Sequence, residues 1–118
     1  DLANEDSAVR WNAVQALAES GDPAVVPHLL PLLDDEDIWV RMAAAGALGD
    51  LGAVEAVSGL IRTLEDPETA VRERAMLSLR AITGRSFQFD PSGSESERAK
   101  VVKKWSDWWK KSRPSLAD

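Results

Sequence analysis

Apolar positions along the chain fall into clusters spaced i, i+3, i+4 and i+7, the pattern that gives a helix one face for a core. The clusters themselves recur. Val9, Val40 and Val71 are 31 residues apart, as are Ala13, Ala44 and Ala75, and Leu17, Leu48 and Leu79. Between them, Val26, Leu29, Leu30 and Leu33 are matched at the same offset by Val57, Leu60, Ile61 and Leu64. Each unit holds two amphipathic stretches and so reads as a helical hairpin. Units that each bury a face on a neighbour build a solenoid. The pattern predicts helices over about residues 6–20, 23–33, 36–50, 53–65, 68–82 and 97–111, and no strand. Gly21 and Gly52 end the second helix of a unit, Asp22–Pro23 supplies an N-cap and a first helical residue, and Asp66–Pro67 opens another element. Pro27 and Pro31 each remove a backbone donor and predict a bend. Their counterparts in the next copy are Ser58 and Arg62, so the bend is expected in one unit only.

The two ends differ from the middle. Only Asp1 to Glu5 precede the first Ala-rich helix, so the first unit lacks its opening helix; the chain reads as a piece of a longer one, with an entry edge open to a partner or a second copy. At the other end residues 84–96 have loop composition. Residues 97–111 then place Val101, Val102, Trp105, Trp108 and Trp109 on one stripe, with Lys100, Lys103, Lys104, Lys110 and Lys111 mostly off it. Such a helix closes the stack, with Phe87 and Phe89 tucked against the stripe. The competing reading, a membrane-surface helix with a tryptophan face and a lysine face, is set aside because the exposed end of a stack needs cover.

The units written DDEDIWVRMAAAGALGDLG and EDPETAVRERAMLSLRAITG, with a partial copy EDSAVRWNAVQALAESG, resemble the short HEAT repeats named after phycobilisome lyases. The resemblance covers residues 6–83. It implies an all-α fold, a right-handed α-α superhelix of about three repeats plus a C-terminal capping helix, forming a single domain over residues 1–118. The Phe-x-Phe-Asp-Pro loop and Trp-Trp helix are similar to the closing element of a group of bacterial HEAT-repeat proteins. The family pattern also implies an Asp/Arg ladder between repeats, carried here by Asp35 with Arg41 and Asp66 with Arg72. Asn4 stands at the matching place before Arg10 and is expected to weaken the ladder at the entry end. Arg10, Arg41 and Arg72 are then structural rather than ligand-binding.

Composition narrows the chemistry. With 44% hydrophobic and 29% charged residues the chain is of ordinary globular make-up, and it has no cysteine, hence no disulfide or thiol chemistry. No apolar run reaches the roughly 20 residues of a membrane span, and the first ten residues show no signal peptide; the compartment stays open. The sole histidine, His28, has no companion ligand for zinc or iron and no serine elbow beside it, so neither a metal site nor a catalytic triad is expected. Asp34, Asp35, Glu36 and Asp37 lack the glycine and terminal glutamate of a calcium loop and read as an acidic helix start. Asp50 and Glu19 share a repeat offset without an enclosed sugar site. Residues 1–83 hold six Arg against fifteen Asp and Glu, a charge of −9, whereas residues 84–118 carry +3. An acidic body repels a phosphate backbone and argues against nucleic acid, DNA-glycosylase relatives of the fold included.

What remains is a surface. The outward positions of the Ala-rich helices, which line the concave side of such a superhelix, include Trp11, Gln15, Trp39, Met42, Gly46, Asp50, Arg74 and Leu77. Relatives commonly carry arginine at the positions of Trp11 and Met42, and glutamate at those of Gln15, Gly46 and Leu77. Here apolar bulk replaces charge, with Gly46 leaving a dent, and exposed apolar strips mark interfaces. The expectation is a non-enzymatic scaffold without cofactor or metal that binds a protein or peptide, preferably basic, with self-association through the open edge as a further expectation. The alternative is an enzyme-associated domain of the bilin-lyase type that holds a small ligand or assists protein modification.

Overall fold

The structure, a computed structural model, describes residues 4–85 and 93–117, with side chains through residue 112. Three long helices, α1 (Ser7–Ser20), α3 (Ile38–Asp50) and α5 (Thr69–Thr83), lie side by side as one layer. The second layer is made of α2 (Val26–Leu29), α4 (Val57–Thr63) and α6 (Glu95–Ala117), with α4 packed between α5 and α6. No strand occurs among the described residues. The layers are paired because each helix has one apolar stripe and must bury it on another element.

Local chemistry sets the helix ends. The Asp6, Asp22 and Asp37 side chains accept hydrogen bonds from the amides of Ala8, Ala24 and Trp39, each cap worth about 1 kcal/mol. Gly21, Gly52 and Gly84 hold φ of +67°, +63° and +70°, the left-handed turn that ends a helix and that a Cβ disfavours. The short outer helices depart from the expected 23–33 and 53–65. Both open with a 3-10 turn, Pro23–Val25 and Val54–Ala56, so the tight start is common to both units and not a product of proline. Only the copy with Pro31 falls back into 3-10 geometry, at Leu30–Asp34, where the missing donor breaks the α pattern.

The core runs continuously between the layers. Val14, Leu29, Val40, Leu48, Leu60, Leu64, Val71, Leu79 and Trp105 are fully buried. Small residues bring α3 and α5 together: a Cβ on Gly49 would stand 2.3 Å from Ser78 Oγ and 2.9 Å from its Cα. Ser78 uses the proximity to donate to the Ala45 carbonyl at 2.7 Å.

The tryptophan stripe of α6 faces this core. Trp105 is fully buried, Trp109 nearly so, and Trp109 Nε1 donates to Ser58 Oγ at 2.9 Å. Trp108 meets Trp105 edge-on at 5.8 Å and carries the Arg85 guanidinium 5.3 Å from its ring centroid. A membrane-surface helix would expose these rings, whereas the exposed side of α6 is its lysine side. The helix begins earlier than expected, at Glu95, because Ser94 Oγ accepts from the Glu97 amide and bonds the Glu97 carboxylate. Phe87 and Phe89 lie outside the described residues.

Candidate functional site

Asp37 caps α3, its Oδ1 accepting from the amides of Trp39 at 2.9 Å and Val40 at 3.2 Å. This fixes Trp39 in the first turn of α3, beside Trp11 on the neighbouring α1. The two indoles share the walls of two adjoining hollows. The first, about 460 Å³, is lined by Ser7, Ala8, Trp11, Asn12, Asp37 and Trp39. The second, about 190 Å³, is lined by Trp11, Gln15, Trp39, Met42, Ala43, Gly46, Ala47, Asp50 and Arg74. Together they form an open groove across the face of α1 and α3 that reaches α5 at Arg74.

Seven of the eight residues expected on the strip, Trp11, Gln15, Trp39, Met42, Gly46, Asp50 and Arg74, line the second hollow. Leu77 is 52% exposed on α5 but lines neither hollow. The dent expected at Gly46 is covered: the Arg74 side chain lies across it, with Nη1 at 3.1 Å and Cδ at 3.3 Å from where a Cβ would stand. Trp39 is 63% exposed and Trp11 38%, whereas Met42 and Gln15 are half-buried. Sequence reasoning missed Asp37 and Ser7 as part of this surface. Asp37 reads as a helix start only; its place on the groove follows from its being two residues before Trp39 in a cap.

The ladder differs from its expected form. Arg10 donates through Nε and Nη2 to both oxygens of Asp35, each at 3.0 Å, and Arg41 Nε lies 2.9 Å from Asp66 Oδ2. Arg10 and Arg41 thus each pair with the aspartate of the following unit, while the Nη1 of all three arginines donates to a carbonyl of its own unit: Arg10 to Asn4, Arg41 to Asp35, Arg72 to Asp66. Asn4 therefore does not weaken the first rung. Its side chain holds the Asp6 amide just as Asp35 holds Asp37 and Asp66 holds Glu68. The hydrogen bond to Asp35 raises the pKa of Arg10 against the opposing effect of burial. In Arg72, burial and then the Arg98 charge push it down.

The acidic run and the candidate serines are engaged in the fold. Asp34 pairs with Arg62 at 3.1 Å, Asp35 with Arg10, Glu36 lies 3.9 Å from Arg10, and Asp37 caps α3. The hydroxyls of Ser20 and Ser78 donate to backbone carbonyls and that of Ser58 accepts from Trp109. His28 is exposed. Among the described residues, no three His, Asp or Glu gather to hold a metal, and no helix is long and apolar enough to cross a membrane.

A family model described as HEAT repeats matches residues 2–80, most of the chain. The chain belongs to the HEAT-repeat family. No curated protein matches it. HEAT repeats generally mediate protein–protein interaction, and the family is typically a non-enzymatic scaffold. In this HEAT-repeat chain the paired arginines and aspartates belong to the stack, and the groove on α1 and α3 is where exposed aromatic surface collects.

Proposed function

We propose that this protein is an interaction module that takes a peptide or helical segment of a partner protein into the groove bounded by Trp11, Trp39, Met42 and Asp50, without catalysis. The observation that carries the reading is Trp39. The 31-residue period puts Ala8 and Ala70 at the equivalent places, so the fold has no need of a large side chain there, yet an indole stands 63% exposed. Large exposed aromatics on rigid helices lose little entropy on binding and anchor interfaces. The open shape of the groove suits an extended segment better than an enclosed small molecule, which favours this reading over the small-ligand one. Asp37 and Asp50 on its lining, with a body charge of −9 over residues 1–83, favour a basic partner.

Selection of helical peptides from a random library on the intact protein tests this. Selected peptides should lose binding by about 2 kcal/mol, some thirtyfold, on Trp39→Ala and substantially on Met42→Ala, while folding stability changes by less than about 1 kcal/mol. Peptides that bind Trp39→Ala as tightly as wild type would place the interaction elsewhere and end the proposal.

A further inference from the structure

We infer that the hollow between Trp11 and Trp39 is a receptor for one organic cation, the guanidinium of an arginine side chain in the bound segment. The inference rests on the groove being a protein-binding surface and names what its first hollow reads. Two indoles line it and, among the described residues, a single carboxylate, Asp37, shares the lining. Aromatic faces carry negative quadrupole density and attract cations, tryptophan most strongly. Asp37 is suited to supply the countercharge. Its Oδ1 is held by the amides of Trp39 and Val40, and among the described residues its Oδ2 takes no hydrogen bond. The nearby cation, Arg10, is already matched by both oxygens of Asp35. The other described lining residues, Ser7, Ala8 and Asn12, bring no positive charge.

An anionic ligand would meet the like charge of Asp37 and is disfavoured. A neutral apolar side chain would fit the walls and leave the carboxylate facing it unmatched. A guanidinium satisfies both, because its plane stacks on indole, its edge donates to a carboxylate, and it sheds water more readily than an ammonium. At about 460 Å³ the open hollow has room for the whole side chain with water around it.

The test uses the intact protein and four probes: N-acetyl-arginine methylamide, its neutral isostere N-acetyl-citrulline methylamide, N-acetyl-lysine methylamide, and tetramethylammonium. Binding is read from the indole N–H signals of the five tryptophans, assigned by single Trp→Phe variants. The arginine amide should shift the Trp11 and Trp39 signals saturably and leave those of Trp105 and Trp109 in place. Citrulline should bind about tenfold more weakly or worse, and lysine between the two. Asp37→Asn retains the cap acceptor and removes the charge, so it should cost a similar factor without loss of fold. Tetramethylammonium binding as tightly as the arginine amide would reassign the hollow to quaternary ammonium groups. Equal binding of citrulline and arginine, or no movement at Trp11 and Trp39 with any probe, would overturn the inference. The groove reading fails separately: it falls if selected peptides ignore Trp39, and survives if they depend on Trp39 but tolerate citrulline in place of arginine.

Discussion

Replacing Gly49 with alanine measures how closely α3 and α5 must approach. The added Cβ would stand 2.3 Å from Ser78 Oγ, 2.7 Å from its Cβ and 2.9 Å from its Cα. The last is backbone and cannot swing aside, so the helices have to part. Overpacking of this kind costs about 1–3 kcal/mol, here toward the upper end. Displacement of Ser78 also endangers its bond to the Ala45 carbonyl, worth about 1 kcal/mol. Alanine offsets roughly 1 kcal/mol of this through helix propensity, which leaves a net loss of about 2–3 kcal/mol. For a domain of this size the loss lowers Tm by roughly 8–12 °C. Gly46 is the internal control, one turn earlier on the same helix. The nearest atoms to a Cβ there belong to the Arg74 side chain, at 3.1 Å from Nη1 and 3.3 Å from Cδ, and Arg74 is exposed and free to swing out. Gly46→Ala should therefore stabilise by about 0.5–1 kcal/mol. Urea denaturation of both variants measures the difference. A Gly49→Ala protein as stable as wild type would refute the reasoning.

Three further outcomes follow from the same structure. Trp105→Ala empties a fully buried site and should cost about 3–5 kcal/mol in urea denaturation; a loss below about 1 kcal/mol would mean that α6 does not close the core. Asp35→Ala removes both the partner of Arg10 and the acceptor for the Asp37 amide, so its Tm should fall well below that of Asp34→Ala, whose ion pair with Arg62 is largely exposed; equal Tm values would deny the ladder a structural role. Asp107 is held below the usual aspartate range by its hydrogen bond from Lys103, with Lys110 and Lys111 adding to the effect. A lowered folded-state pKa means that the ionised form is favoured, so this support for α6 is present at neutral pH and fades as pH falls through the lowered value. Carboxyl NMR titration should find Asp107 below 3.8 and moved upward in Lys103→Gln.

The layered helical stack could be read from the residues because its causes are local and periodic. Valine, alanine and leucine recur every 31 residues, and among the described residues glycine stands wherever φ turns positive. Burial of Trp105 and Trp109 followed from a stripe that had to face something. What escaped was set by side-chain direction and by distances between helices. Periodicity places Gly46 on the surface but cannot say that Arg74 from the next helix will lie over it. The resemblance to the family implied Asp35 with Arg41, whereas the carboxylate turns back to Arg10 of the preceding unit. The Ser94–Glu97 box was present in the sequence but was passed over inside a loop-like composition, which placed the start of α6 late. On the groove, the tryptophans stood out as departures from the repeat, while Asp37 gave no sign of its second role.

Because Arg10 and Arg41 each bind a carbonyl six residues back and a carboxylate of the following unit, the two joints they make are built alike. A duplicated stretch of 31 residues, from Asp35 to Glu65, would bring with it one arginine for the unit ahead and one aspartate for the unit behind. The chain could thus gain or lose whole units by recombination while every surviving joint stays matched, which leaves the outward-facing positions free to diverge from copy to copy.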